Sequence, residues 1–114
     1  MPQLFNRMDE DYVDIIKQIV LKKVPLDEFA VFLFGSRAAG NAHQMSDIDV
    51  GFLGIDNLPI MIKAEIEMEI EESIVPFRVD IIDFNQTDKS FKEEALKKII
   101  VWNSPENLKL NYQV

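Results

Sequence analysis

Apolar positions recur at helical spacing between residues 9 and 24, where Tyr12, Ile16, Ile19, Val20 and Val24 share one stripe. Acidic residues fall in the first turn and Lys22–Lys23 in the last, as the helix dipole favours, and Pro25 stops the pattern. Phe29 to Phe34 is then an unbroken apolar run, the pattern of a strand covered on both faces. Gly35 ends it, and a polar stretch from Ser36 to Ser46 follows. Asp47 to Leu53 alternates, with Ile48, Val50 and Phe52 on one side and Asp47, Asp49 and Gly51 on the other, which predicts a second strand. Asn57 caps a predicted helix running to about Ser73, with Pro59 in its first turn and a Leu58, Ile62, Ile66, Ile70 stripe facing a core. Phe77 to Asp83 predicts a third strand that sets Arg78, Asp80 and Ile82 on one side. Ser90 and Glu93 fit a capping box for a last helix through about Trp102, ended by Asn103 and Pro105. The expected order is helix, strand, strand, helix, strand, helix. The expected fold class is therefore α/β (or α+β), a small mixed sheet flanked by helices.

Length and charge narrow this further. The 114 residues hold one domain, taken as 1–114, and no second core. Twenty acidic against twelve basic side chains leave a net charge of −8, which argues against strong direct binding of nucleic acid. With no cysteine there are no disulfides, thiolate zinc sites or cysteine nucleophiles, and the single histidine, His43, excludes a multi-histidine metal site. The N-terminus shows no basic segment followed by an apolar run, and the longest apolar run is far short of a membrane span. A cytoplasmic protein with no membrane partner is expected.

Chemistry concentrates in Gly35-Ser-Arg-Ala-Ala-Gly-Asn-Ala-His-Gln-Met-Ser-Asp-Ile-Asp49. A glycine directly after a buried strand lets the backbone approach a ligand closely, the Ser36 hydroxyl lies beside it, and successive N–H groups in such a turn can hold phosphate oxygens. Ten residues separate Ser36 from Asp47, enough to fold back toward the carboxylates. Asp47 and Asp49, two apart on a strand, point to one face and can hold a hard cation that keeps positions for water and substrate phosphate. If the third strand lies beside the second, Asp80 completes a three-carboxylate cluster able to hold two metals for an in-line phosphoryl displacement, with Asp80 as general base. A P-loop is excluded because Asn41 and Ala42 follow Gly40, and a calcium loop because Phe52 and Leu58 stand at its sixth and twelfth positions.

The segment GSRAAGNAHQMSDID resembles the G-S-R-x-x-G…S-D-I-D signature of the DNA polymerase beta-like nucleotidyltransferase superfamily, and most of all its minimal nucleotidyltransferases, antitoxin partners of HEPN-domain proteins. The resemblance runs from the first helix to the last. It implies the nucleotidyltransferase fold, with Gly35 and Ser36 as the triphosphate-binding turn, Arg37 as the basic residue after it, and Ser46 at the nucleotide. It further implies Asp47 and Asp49 as magnesium ligands and Asp80 as the third carboxylate. Many minimal members carry a second arginine where this chain has Ala39. The implied activity is magnesium-dependent transfer of a nucleoside monophosphate, AMP from ATP, to a hydroxyl of a HEPN-type ribonuclease toxin held in a hetero-oligomer. The alternative is a weak or inactive nucleotide-binding subunit that neutralises its partner by direct binding.

Blander readings stand beside these. Asp47 and Asp49 could be solvated edge acids, Asp80 could be salt-bridged, Arg37 could be a surface arginine, and Ser46 could simply turn the chain. His43 reads as a polar loop residue and Trp102 as packing. Glu65, Glu67, Glu69, Glu71 and Glu72 read as a solvated face or, alternatively, a docking surface for a basic partner.

Overall fold

A run with no polar alternation needs apolar cover on both sides, and Phe29–Phe34 forms a strand, β1, buried at every position. The computed structural model describes residues 2–40, 46–106 and 108, the first eight of these by backbone alone. β1 lies inside a sheet with β2 (Ile48–Gly54), β3 (Val79–Asp83) and β4 (Ile100–Asn103), in the order β3-β2-β1-β4. β2 and β4 run antiparallel to β1, whereas β3 runs parallel to β2. The parallel pair needs a crossover, and α3 (Ile60–Glu71) supplies it. The architecture is the mixed α/β sheet with flanking helices that the pattern predicts.

Alternation sorts the strand residues onto two cores. On one face, Val31, Leu33, Ile48, Val50, Phe52 and Ile81 meet Ile16 and Val20 of α1 (Pro2–Lys23) and Ile66 and Ile70 of α3. Lys22 and Lys23 reach Glu69 at 3.2 and 3.1 Å, tying α1 to α3. On the other face Phe32, Phe34, Phe84 and Leu96 form a second cluster. The Phe84 ring meets Phe32 and Phe34 edge-on at 4.9 and 5.0 Å between centroids. Gly51 lies beneath these rings, and a Cβ there would overlap Phe32 and Phe84.

Several boundaries differ from expectation. The last helix, α4 (Lys89–Ala95), stops well before Trp102, and Ile100–Asn103 is a strand instead. The run Ile99-Ile-Val-Trp102 is β-branched and aromatic, which suits a pleated edge paired to β1 better than a helix. The cap is Asp88, whose carboxylate accepts from the Phe91 N–H at 2.7 Å, rather than Ser90. α3 starts at Ile60 and not at Asn57, because the Leu58 N–H donates to the Asp83 carboxylate at 2.8 Å and holds that residue outside the helix. α1 extends back to Pro2, where a missing N–H costs nothing. β3 begins at Val79, leaving Phe77 buried in the core ahead of it. A four-residue helix, α2 (Ser36–Ala39), interrupts the expected polar loop. His43 lies outside the described residues, and Trp102 is half-buried against the main core.

Candidate functional site

The site begins where β1 ends. Gly35 has φ +77°, a conformation an L side chain resists, and it turns the chain straight from β1 into α2. Its Cα faces the side chain of Asp49, so closely that an added Cβ would overlap the carboxylate. α2 is closed by the Ala39 N–H donating to the Gly35 carbonyl at 3.0 Å and by Gly40 in the left-handed region. Ser36 therefore sits at a tight turn within reach of an acidic side chain that the sequence places thirteen residues later.

Strand register assembles the carboxylates. Phe34 of β1 pairs with Asp49 of β2, and Asp49 pairs with Asp80 of β3. Paired residues share a face, so Asp49 and Asp80 lie side by side on the face carrying the aromatic cluster. Asp47, one residue ahead of β2, is exposed at the strand's entrance. Asp80 also meets Arg78 at 3.2 Å, but that guanidinium is three-quarters exposed and the pair is screened.

Acidic neighbours crowd Asp49, whose carboxyl is pushed up from 3.8 to about 6. Burial contributes most, followed by the charges of Asp80 and Asp47 and a hydrogen bond with Asp80, with Arg37 opposing. The excess negative charge is what a divalent cation would neutralise. Among the described residues no three His, Cys, Asp or Glu side chains converge so as to hold a metal ion together. Magnesium is usually held by one or two carboxylates with phosphate and water completing its shell. Asp47 and Asp49, with Asp80 adjacent, fit such an open site.

An acid that binds its proton more tightly when folded contributes stability below its unfolded pKa and loses it as pH rises through the folded value. Asp49→Asn is thus expected to stabilise the metal-free protein at pH 8 by on the order of 1 kcal/mol, allowing for screening of a partly exposed carboxyl, and hardly at pH 4. Thermal melts of both proteins in chelator at the two pH values check this; an equal or lower melting temperature for the variant at pH 8 would contradict it.

Arg37 is spent on backbone. Its Nη2 donates to the Ser46 carbonyl at 2.6 Å, its Nε lies 3.2 Å from the Ser46 and Asp47 carbonyls, and the guanidinium sits 4.7 Å above the Phe77 ring. These contacts bind α2 to the chain entering β2 and hold Asp47 at that entrance. Ser46 takes part through its carbonyl.

A cleft of about 590 Å³ opens beside the turn. Gly35 and Ser36 form one wall, Phe34 and Phe91 the apolar floor, and Glu94, Lys97 and Lys98 the far rim. Helical spacing predicts a helix continuing through Lys98 and so hides this rim; the signal that reveals it is the β-branched run just after Lys98, which forms a strand beside β1.

The chain matches known proteins along most of its length. Residues 14–107 match the family described as polymerase beta, nucleotidyltransferase. Over 87 residues the chain is 32% identical to the probable protein adenylyltransferase MntA of Haemophilus influenzae, covering 76% of this chain and 75% of that protein. A toxin–antitoxin structure with AMP-PNP superposes with a TM-score of 0.64 at 19% identity, over 86% of this chain and 75% of that one. The Shewanella oneidensis complex of a tri-AMPylated HEPN toxin with its MNT antitoxin gives 0.58 at 19% identity, over 94% and 76%. With Gly35-Ser36 turned against Asp49 and the family match spanning helix, sheet and carboxylates alike, this chain belongs to the polymerase beta nucleotidyltransferase family.

Proposed function

We propose that this nucleotidyltransferase moves a nucleoside monophosphate, AMP from ATP, onto a hydroxyl of a HEPN-type partner protein, silencing it as an antitoxin. The observation that carries the reading is the row Phe34, Asp49, Asp80 with Gly35 folded onto Asp49. The identity to MntA and the likeness to toxin–antitoxin complexes support the acceptor class and a hetero-oligomer. No described helix is long and apolar enough to cross a membrane.

In this mechanism Asp47 and Asp49, with Asp80 beside them, would hold magnesium, two ions in the full site. When bound, these ions supply neutralisation of phosphate charge and activation of the attacking oxygen. The Gly35–Ser36 turn binds the terminal phosphates. Asp80 accepts the proton of the acceptor hydroxyl as its oxygen bonds to the α-phosphorus. The α–β phosphoanhydride bond then breaks, and pyrophosphate leaves with the electron pair. Arg37 acts as a positioning residue, joining the phosphate turn to Asp47, and Ser46 passes that restraint on through its carbonyl.

A second reading is favoured by Ala39, which lines the cleft without a charge: the chain neutralises its partner by covering it. Incubation with ATP, magnesium and the cognate HEPN-domain protein, followed by intact mass measurement, separates the two. The enzyme adds one or more adenylate units with wild type and none with Asp80→Ala. A tight, neutral complex without any mass increment in either case would instead establish the binding subunit.

A further inference from the structure

The rim of the cleft carries charge that no step above uses. β4 pairs antiparallel with β1 through Leu33 and Ile100. Gly35 directly follows β1 and Lys98 lies just ahead of β4, and both residues line the same cleft. Across the sheet Asp80 stands on β3, Asp49 on β2, Gly35 just past the end of β1 and Lys98 just ahead of β4, following the strand order. Carboxylates stand at one end of this row, the phosphate turn in the middle and an ammonium at the other end.

The rim's charges do not cancel. Lys97 Nζ pairs with Glu94 Oε1 at 3.0 Å. Both side chains are largely exposed, so the pair is weak but occupies Lys97. Lys98 forms no ion pair with a described residue and supplies the net positive charge of the rim. In a chain of net charge −8, an ammonium lining the same cleft as the glycine turn offers a place where anionic phosphate would lie.

We propose that Lys98 is a triphosphate-binding residue of this chain, contacting the terminal phosphates of the bound nucleoside triphosphate and the pyrophosphate that departs. This rests on the nucleotidyltransferase reading of the site. The α-phosphate lies toward Asp49 and Asp80, where the acceptor oxygen bonds to it. The pyrophosphate leaves toward β4, and Lys98 meets the negative charge it gains. Lys97, held by Glu94, contributes less.

The test is equilibrium binding, with magnesium, of a β,γ-imido ATP analogue and of AMP to wild type, Lys98→Met, Lys98→Arg and Lys97→Met. Lys98→Met is expected to weaken the analogue about tenfold, the worth of one charge-assisted hydrogen bond, while changing AMP by less than about twofold. Lys98→Arg should recover most of the loss, and Lys97→Met should lose no more than about threefold. Unchanged analogue binding by Lys98→Met, or equal weakening of the analogue and AMP, overturns the proposal and leaves the site reading standing. Failure of the wild type to bind the analogue at all overturns the site reading and takes this proposal with it.

Discussion

Changing Asp47 and Asp49 together to asparagine is expected to lower the rate of nucleotide transfer by about 10³-fold or more with the fold intact. Each substitution removes a formal negative charge and keeps the side chain's size. The aromatic cluster, the β2–β3 pairing and the Gly35 turn are therefore undisturbed. What is lost is the charge with which, in the proposed mechanism, this end of the sheet would hold a cation. Phosphoryl transfer relies almost wholly on positioning and on neutralising phosphate oxygens, so removing several kcal/mol of that stabilisation is felt in the rate and not in the melting curve. The variant should melt no lower than wild type in chelator, since Asp49 sits among like charges in the native state. Added magnesium should raise the melting temperature of wild type and leave the variant's unchanged. A double variant that transfers nucleotide within tenfold of the wild-type rate would remove the carboxylates from the mechanism.

How far the site is legible in the sequence depends on whether its residues lie close in the chain. The Gly35-Ser36 turn and the Asp47-x-Asp49 pair fall within one short segment between two strands, and strand period alone sets the two acids on one face. Asp80 is readable only conditionally, because its place beside Asp49 depends on β3 lying parallel to β2, which a periodicity cannot state. Arg37 illustrates a further gap. Its type and position suggest a phosphate contact, yet the fold supplies two nearby carbonyls and the Phe77 ring, and the guanidinium binds those. The rim of the cleft is least legible of all. Helical spacing in Ser90–Ala95 carries a reader onward past Leu96, whereas pairing to β1, remote in sequence, draws Ile100–Asn103 into the sheet. Tertiary pairing overrides local propensity there, and with it moves Lys98 from a helix surface to the rim of the cleft.

Gly35→Ala is expected to lower transfer by about 10²-fold at a stability cost of only about 1–2 kcal/mol, and Gly40→Ala to cost similar stability with the rate retained. Both glycines have positive φ, at +77° and +83°, so alanine at either meets the same left-handed penalty. Their surroundings differ. A Cβ at Gly40 meets no described residue within 4 Å, whereas at Gly35 it lands on the Asp49 carboxylate and also crowds the Cγ behind it at 3.1 Å. The strand holds Asp49's backbone in register with Phe34 and Asp80, so relief must come from swinging the carboxylate aside or from opening the turn. Either motion separates the Gly35–Ser36 turn from the Asp49 carboxylate, and a displacement near 1 Å is enough to cost two orders of magnitude in rate. Paired measurements of melting temperature and transfer rate on the two variants decide the matter. Equal losses of rate would mean that backbone strain in the turn, and not the contact between Gly35 and Asp49, sets activity. Loss confined to Gly35→Ala would mean that a glycine is required there because the missing side chain is the space in which turn and carboxylate meet.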